Sequence, residues 1–232
     1  MYLVPNLLGL VPPAQVLPQH TIDVARSLEH FVVETPKAAR QFIKSLAPAR
    51  PLQSMHFATL DVNTPRERVP ELLAPAIGGQ DLGLLSDAGC PGVADPGALL
   101  VAAAHRAGVR VVPLVGPSAI VLALMAAGMN GQQFTFHGYL PVAPQPRVAA
   151  LKALDDAVAL TGVTQICIET PYRNEALLAA TVAACRASTD LCVAVDLTLP
   201  SEQIVRRSIA QWRDAERVAL NRRPAIFMIG TI

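Results

Sequence analysis

Glu34 stands directly after the apolar run Phe31-Val32-Val33, and Lys37 and Arg40 follow it three residues apart. Positions three apart on a helix share a face. A carboxylate at a strand end beside two cations suits acid/base chemistry or a bound phosphate, and it equally suits a solvated helix face. A second set, Glu169-Thr-Pro-Tyr-Arg173, follows another apolar run. There Glu169 and Arg173 can pair and hold the turn rigid or line a cleft, while Tyr172 can cover an aromatic ring or pack beneath a helix. The richest segment is Ser86-Asp-Ala-Gly-Cys-Pro-Gly-Val-Ala-Asp-Pro-Gly97, with three glycines and two prolines in twelve residues. Such a run does not pack a core; it lets the backbone pass close to something. At the carboxyl end of a strand in an α/β sheet that something is usually a ligand, although two ligand-free tight turns give the same pattern. In Val115-Gly-Pro-Ser-Ala119, Pro117 keeps Gly116 out of the α region and Ser118 offers a hydroxyl at a helix start. The free amides of such a start favour a carboxylate or phosphate, and an ordinary capped helix is the plainer alternative.

These segments need strands and helices to hold them. Strands are expected at Tyr2 to Val4, Phe31 to Val33, around Met55 to Ala58, Asp81 to Leu85 and Val109 to Pro113. Helices are expected at Ile22 to Glu29, from the Glu34-Thr-Pro36 turn through Leu46, from the Thr64 cap and Pro65 to Ile77, and from Pro96 to Arg106 with Asp95 as cap. This alternation predicts a largely parallel sheet covered on both faces. After a helix from Ser118 to Ala127 the pattern changes. Strands are expected at Phe134 to Phe136, Gln165 to Ile168, Cys192 to Leu197 and Ala225 to Ile229. Helices are expected near Arg147 to Ala159, Asn174 to Arg186 and Ser201 to Asp214. The fold class is therefore α/β in two domains, residues 1–115 and 116–232, with a shared cleft as the expected ligand site.

Composition narrows the function. The 232 residues are 52% hydrophobic and only 16% charged, and 19 basic against 18 acidic side chains give a net charge of +1. The balance holds in both halves, nine against nine up to residue 120 and ten against nine beyond it, so no polybasic patch is written into the chain. Four scattered cysteines and five scattered histidines show no metal-ligand spacing, and no metal is expected. Cys167, Cys185 and Cys192 lie in apolar surroundings and read as buried thiols of a reducing compartment. Prolines and glycines interrupt both the amino-terminal apolar stretch and the window Val111 to Met129, so neither a signal peptide nor a membrane span is expected. The setting is read as cytoplasmic. GxGxxG, GxxxxGK[ST] and GxSxG are absent, which leaves dinucleotide, P-loop and nucleophile-elbow chemistry without support.

Ser86 to Gly97, Pro113 to Ala119 and Glu169 to Arg173, in that order, resemble the signature segments of the tetrapyrrole methylase superfamily. They are most similar to its branch that methylates a cytidine 2′-hydroxyl in small-subunit ribosomal RNA. The resemblance runs from about residue 30 to residue 230. It implies an S-adenosyl-L-methionine-dependent methyltransferase, usually a homodimer, with the cofactor folded between two α/β domains. Carried over by position, Ser86, Asp87, Ala88 and Gly89 belong to the cofactor and acceptor cleft, Asp95 and Gly97 shape its rim, and Gly116, Pro117 and Ser118 approach the methionine end. Met125 and Ala126, with Tyr139, Leu140, Pro224 and Ala225, line the adenosyl side. Glu34, Lys37 and Arg40 match an acidic-basic segment near the acceptor, with Glu34 and Asp87 as candidate bases. The chain departs from that branch in the loop Pro5-Asn-Leu-Leu-Gly9, in the proline-rich stretch that follows to Pro18, and in Glu34-Thr-Pro-Lys37. A small or tetrapyrrole-like acceptor, or a non-catalytic S-adenosylmethionine-binding protein, are the alternatives to an RNA acceptor.

Overall fold

The computed structural model describes residues 1–216 and 218–231, so Arg217 and Ile232 of the expected second domain lie outside it. The chain divides into two compact units, Met1–Ser118 and Ala119–Ile232, each of mixed α/β structure.

The first unit contains β1 (Tyr2–Val4), α1 (Gln19–Ser27), β2 (His30–Val33), α2 (Pro36–Ser45), β3 (His56–Thr59), α3 (Ala74–Ile77), β4 (Leu82–Leu85), α4 (Gly97–Arg106) and β5 (Val112–Pro113). Its strands run in the order β3-β2-β4-β1-β5, all parallel. Successive strand residues point to opposite faces, so Phe31 and Val33 join the cluster beneath α1 and α2 while Val32, Leu82 and Leu84 join the one beneath α4. Both faces are covered, which is why these strands read as unbroken apolar runs. Burial of Phe31, 1% exposed, contributes about 1.5–3 kcal/mol relative to leaving it in water.

The helix expected from Thr64 to Ile77 forms differently. Residues Arg66–Leu73 wind as a 3-10 helix and only Ala74–Ile77 is α-helical. Pro70 and Pro75 lack the amides that a continuous α ladder would need, and their rings crowd the preceding turn. Thr64 closes a local loop instead of capping: its Oγ1 accepts the Asp61 amide at 3.0 Å and donates to Asp61 Oδ1 at 2.9 Å.

The second unit contains α5 (Ala119–Ala127), β6 (Phe134–Tyr139), α6 (Pro144–Thr161), β7 (Thr164–Ile168), α7 (Asn174–Ala184), β8 (Asp190–Val195), β9 (Gln203–Ser208), α8 (Ile209–Asp214) and β10 (Ala225–Gly230). The order is β6-β7-β10-β8-β9, with only β6 and β7 parallel. Central β10 is buried along its whole length. The helix expected from Ser201 to Asp214 is confined to α8, because β9 pairs with β8 from Gln203↔Val195 to Ser208↔Asp190. Ser208 and Gln211 form a reciprocal capping box that starts α8. Trp212 anchors α8 by donating its indole N–H to Leu191 O at 2.9 Å.

Candidate active site

Parallel strands send their following loops to the same sheet edge. In the first unit this brings Asn6, Glu34, Ser86 and Gly116 out at the carboxyl ends of β1, β2, β4 and β5. Asn6, which the sequence marks only as part of the Pro5–Gly9 loop, ties these loops together. Its amide nitrogen donates to Ser86 O at 3.0 Å and Asp87 O at 3.1 Å, and its backbone N–H donates to Gly89 O at 2.9 Å. Buried Ser86 closes the same turn by donating to the carbonyls of Ala88 and Gly89. The Cys90 thiol faces Pro117 O at 3.5 Å, so the loop after β4 meets the loop after β5.

Gly89 sits at φ +68°, in the left-handed region that glycine enters without strain. A Cβ on Gly116 would meet the Pro5 ring at 2.3 Å, and one on Gly97 would lie 2.8 Å from Asp95 Oδ1. These two glycines are therefore set by packing within the loops. Asp95 accepts the amides of Gly97 at 2.7 Å and Gly92 at 2.8 Å, which ties the Gly92 turn to the first residue of α4.

Glu34 and Asp87 interlock. The Asp87 amide donates to Glu34 Oε2 at 3.0 Å, while Asp87 Oδ1 and Oδ2 accept the Thr35 amide at 3.1 Å and the Thr35 hydroxyl at 2.6 Å. Burial pushes the Glu34 carboxyl above its ordinary range; the nearby Asp95 and Asp87 charges add to this and the Asp87 N–H opposes it. Burial likewise raises Asp95, against the two amides it accepts. Lys37 and Arg40 are exposed on α2, and the Arg40 guanidinium lies 4.9 Å from the centre of the Phe57 ring on β3.

The second unit has its own strand-end edge. Gly138, at φ +66°, lies in a register shift between Phe136 and Tyr139 that leaves the Tyr139 ring 58% exposed beside buried Leu140. Tyr139 and Ile226 pair with Ile168 from opposite sides, which places Pro224 and Ala225 at the same edge. Glu169 accepts the Arg173 guanidinium at 2.6 Å and the Thr170 amide at 2.7 Å. Burial pushes this carboxyl up, and those two donors outweigh it and hold it below its usual range. Tyr172 is 77% exposed rather than packed beneath α7. Met125 and Ala126 are exposed on α5.

S-adenosylmethionine presents an ammonium, a carboxylate, a sulfonium and an adenine ring. The donor set suits those groups: the first unit offers carboxylates and exposed turn backbone at Asp87 and Ala88, and the second an exposed aromatic ring at Tyr139. Buried Asn174 Oδ1 and Thr198 Oγ1 also lack protein partners, and Asn174 donates its amide to Arg223 O beside Pro224. Among the described residues, no group of three or more His, Cys, Asp or Glu could hold a metal ion, and no helix is long and apolar enough to cross a membrane.

Comparison with known proteins bears on the family and the fold. The ribosomal RNA small subunit methyltransferase I of Xylella fastidiosa strain Temecula1 is 39% identical over 142 residues, 61% of this chain and 48% of the relative. The protein of the same name from Synechocystis is 37% identical over 211 residues, 87% of this chain and 67% of the relative. The chain thus spans about half the length of the first of these relatives and two thirds of the second. The crystal structure of the methyltransferase CobJ superposes with a TM-score of 0.61 at 20% identity, covering 94% of this chain and 89% of that one, and shares the two-sheet α/β fold. Residues 17–212 match the family described as Tetrapyrrole (Corrin/Porphyrin) Methylases. With most of its length matched, the chain belongs to the tetrapyrrole methylase family.

Proposed function

We propose that this chain is an S-adenosylmethionine-dependent methyltransferase whose acceptor is a ribose 2′-hydroxyl of RNA. The observation that carries the proposal is the Glu34–Asp87 interlock, a partly buried carboxylate of raised pKa held at a strand-end edge. The relatives named for ribosomal RNA support the acceptor class. When bound, S-adenosylmethionine supplies a methyl group on a sulfonium, activated for in-line displacement. Glu34 Oε2 is fixed by the Asp87 amide, and Oε1 accepts the proton of the acceptor hydroxyl as its oxygen forms the new bond. Both Asp87 oxygens serve Thr35, so Asp87 is a positioning residue and Glu34 is the base.

On this proposal Ser86, Asp87, Ala88, Gly89, Asp95, Gly97, Gly116, Pro117 and Ser118 serve the methionine end and its rim. Met125, Ala126, Tyr139, Leu140, Pro224 and Ala225 serve the adenosine, and Glu169, Tyr172 and Arg173 form a rigid turn at the second unit's edge. A homodimer in the cytoplasm belongs to the same proposal. Free thiols at buried Cys167, Cys185 and Cys192 support a reducing setting. Titration calorimetry of the full chain tests cofactor binding: S-adenosylmethionine or its demethylated product is expected at a Kd of about 1–100 μM. A folded chain that takes up neither would overturn the proposal.

A further inference from the structure

We propose that a cavity of about 370 Å3 between the 6–12 loop and α2 is the acceptor pocket, and that it takes a single nucleobase-sized ring. This rests on the RNA reading above and names what that site recognises. Asn6, Asp87 and Ala88 belong to its wall, so the cavity borders the loop whose amide fixes the proposed base. Leu8 and Val11 line it from the proline-rich loop, and Leu10 of the same lining is 86% exposed, an apolar side chain able to cover a flat ring.

The α2 face turned to the cavity is Ala38, Gln41, Phe42 and Ser45, spaced three and four apart, with the buried Phe42 ring as its floor. Lys37 and Arg40 are not part of it, and Arg40 lies over Phe57. The helix therefore offers an amide and a hydroxyl rather than cations, which fits a neutral hydrogen-bonding ring and not a phosphate. A glutamine amide carries a donor and an acceptor side by side, matching the paired groups of a base edge. Ser45 donates to Phe42 O at 2.6 Å, which leaves its oxygen as an acceptor. The volume lies at the small end of the roughly 300–1,000 Å3 typical of ligand cavities. A single base suffices to fill a cavity of this size. Recognition of a single base also explains a near-neutral RNA enzyme, since unpaired RNA bases are splayed out and read by their edges.

The test uses the full chain, a fluorescein-labelled RNA hairpin with an unpaired pyrimidine loop, and three readouts: anisotropy, methyl transfer and calorimetric affinity for S-adenosylmethionine. Ser45→Trp places a bulky ring in the cavity from an exposed helix position. It is expected to weaken RNA binding by at least about tenfold, or 1.4 kcal/mol, with cofactor affinity unchanged. Gln41→Ala, which keeps helix propensity at an exposed site, is expected to raise KM for the RNA about 3- to 10-fold with little change in kcat, as loss of one or two hydrogen bonds implies. Wild-type RNA binding in Ser45→Trp together with an unchanged KM in Gln41→Ala would overturn the pocket while leaving the RNA reading standing. A wild-type chain that binds the cofactor but neither binds nor methylates RNA would overturn both.

Discussion

Burial holds the Glu34 proton more tightly than water would, and the charges of Asp95 and Asp87 reinforce it. A base works only when ionised, so methyl transfer should rise with pH through the Glu34 pKa. That acid limb should lie above the ordinary carboxylate range of about 4.3. Glu34→Gln should abolish this limb and lower transfer about 10²-fold. The linkage sign supplies an independent check. A carboxyl whose folded pKa is raised contributes stability below its unfolded pKa and loses it as pH rises through the folded value. At neutral pH the charged Glu34 is therefore a liability to the fold, and Glu34→Gln should not lower Tm in a thermal scan. Gly89 behaves in the opposite way. Its glycine-rich context alone predicts that Gly89→Val harms cofactor binding more than folding. Its φ of +68°, with Leu8 3.3 Å from where a Cβ would stand, places the cost in the backbone first. Gly89→Val should cost about 1–2 kcal/mol or more, seen as a lower Tm with and without cofactor.

At the scale of elements, the strand-end edge of the first unit is held by bonds between loops far apart in sequence. Asn6 on the β1 loop supplies three donors to the β4 loop. Asn6→Ala removes the two side-chain donors and should destabilise the chain by about 1–3 kcal/mol in a denaturant titration, with slower transfer as the Asp87 amide loses its aim. No local pattern announces this residue, because its role depends on β1 and β4 being neighbours in the sheet. The Gly/Pro turns, the strand runs before Glu34, Ser86 and Glu169, and the alternation of the first half were legible because period and turn chemistry are local signals. Two segments were not. The prolines at 70 and 75 outweigh the Thr64-Pro65 start signal, and Ile204-Val205 belongs to a strand although a helix follows within a few residues. The capping box at Ser208 and Gln211 was the available clue to where that helix begins. The pocket-facing set Ala38, Gln41, Phe42 and Ser45 was hidden for another reason: Lys37 and Arg40, the charged residues, drew the functional reading to a different face of α2.

For the molecule as a whole, charge decides how RNA is held. A net charge of +1, with at most one basic residue in excess in either half, writes no polyelectrolyte grip into the sequence. Binding of the labelled hairpin should therefore show a shallow salt dependence, with a log–log slope of about −1 to −2, equivalent to two or three neutralised phosphates on single-stranded RNA. A slope steeper than about −5 would show that phosphates and not a base dominate. The claim joining every scale is that this chain moves a methyl group from S-adenosylmethionine to an RNA ribose with Glu34 as base. The most direct measurement is transfer of tritiated methyl from the cofactor to small-subunit ribosomal RNA, with the product nucleoside mapped by mass spectrometry. The account predicts label on a ribose 2′-oxygen with the wild-type chain and about 10²-fold slower labelling with Glu34→Gln. A folded, cofactor-bound chain that labels no RNA, or a Glu34→Gln chain that labels it at the wild-type rate, would contradict it.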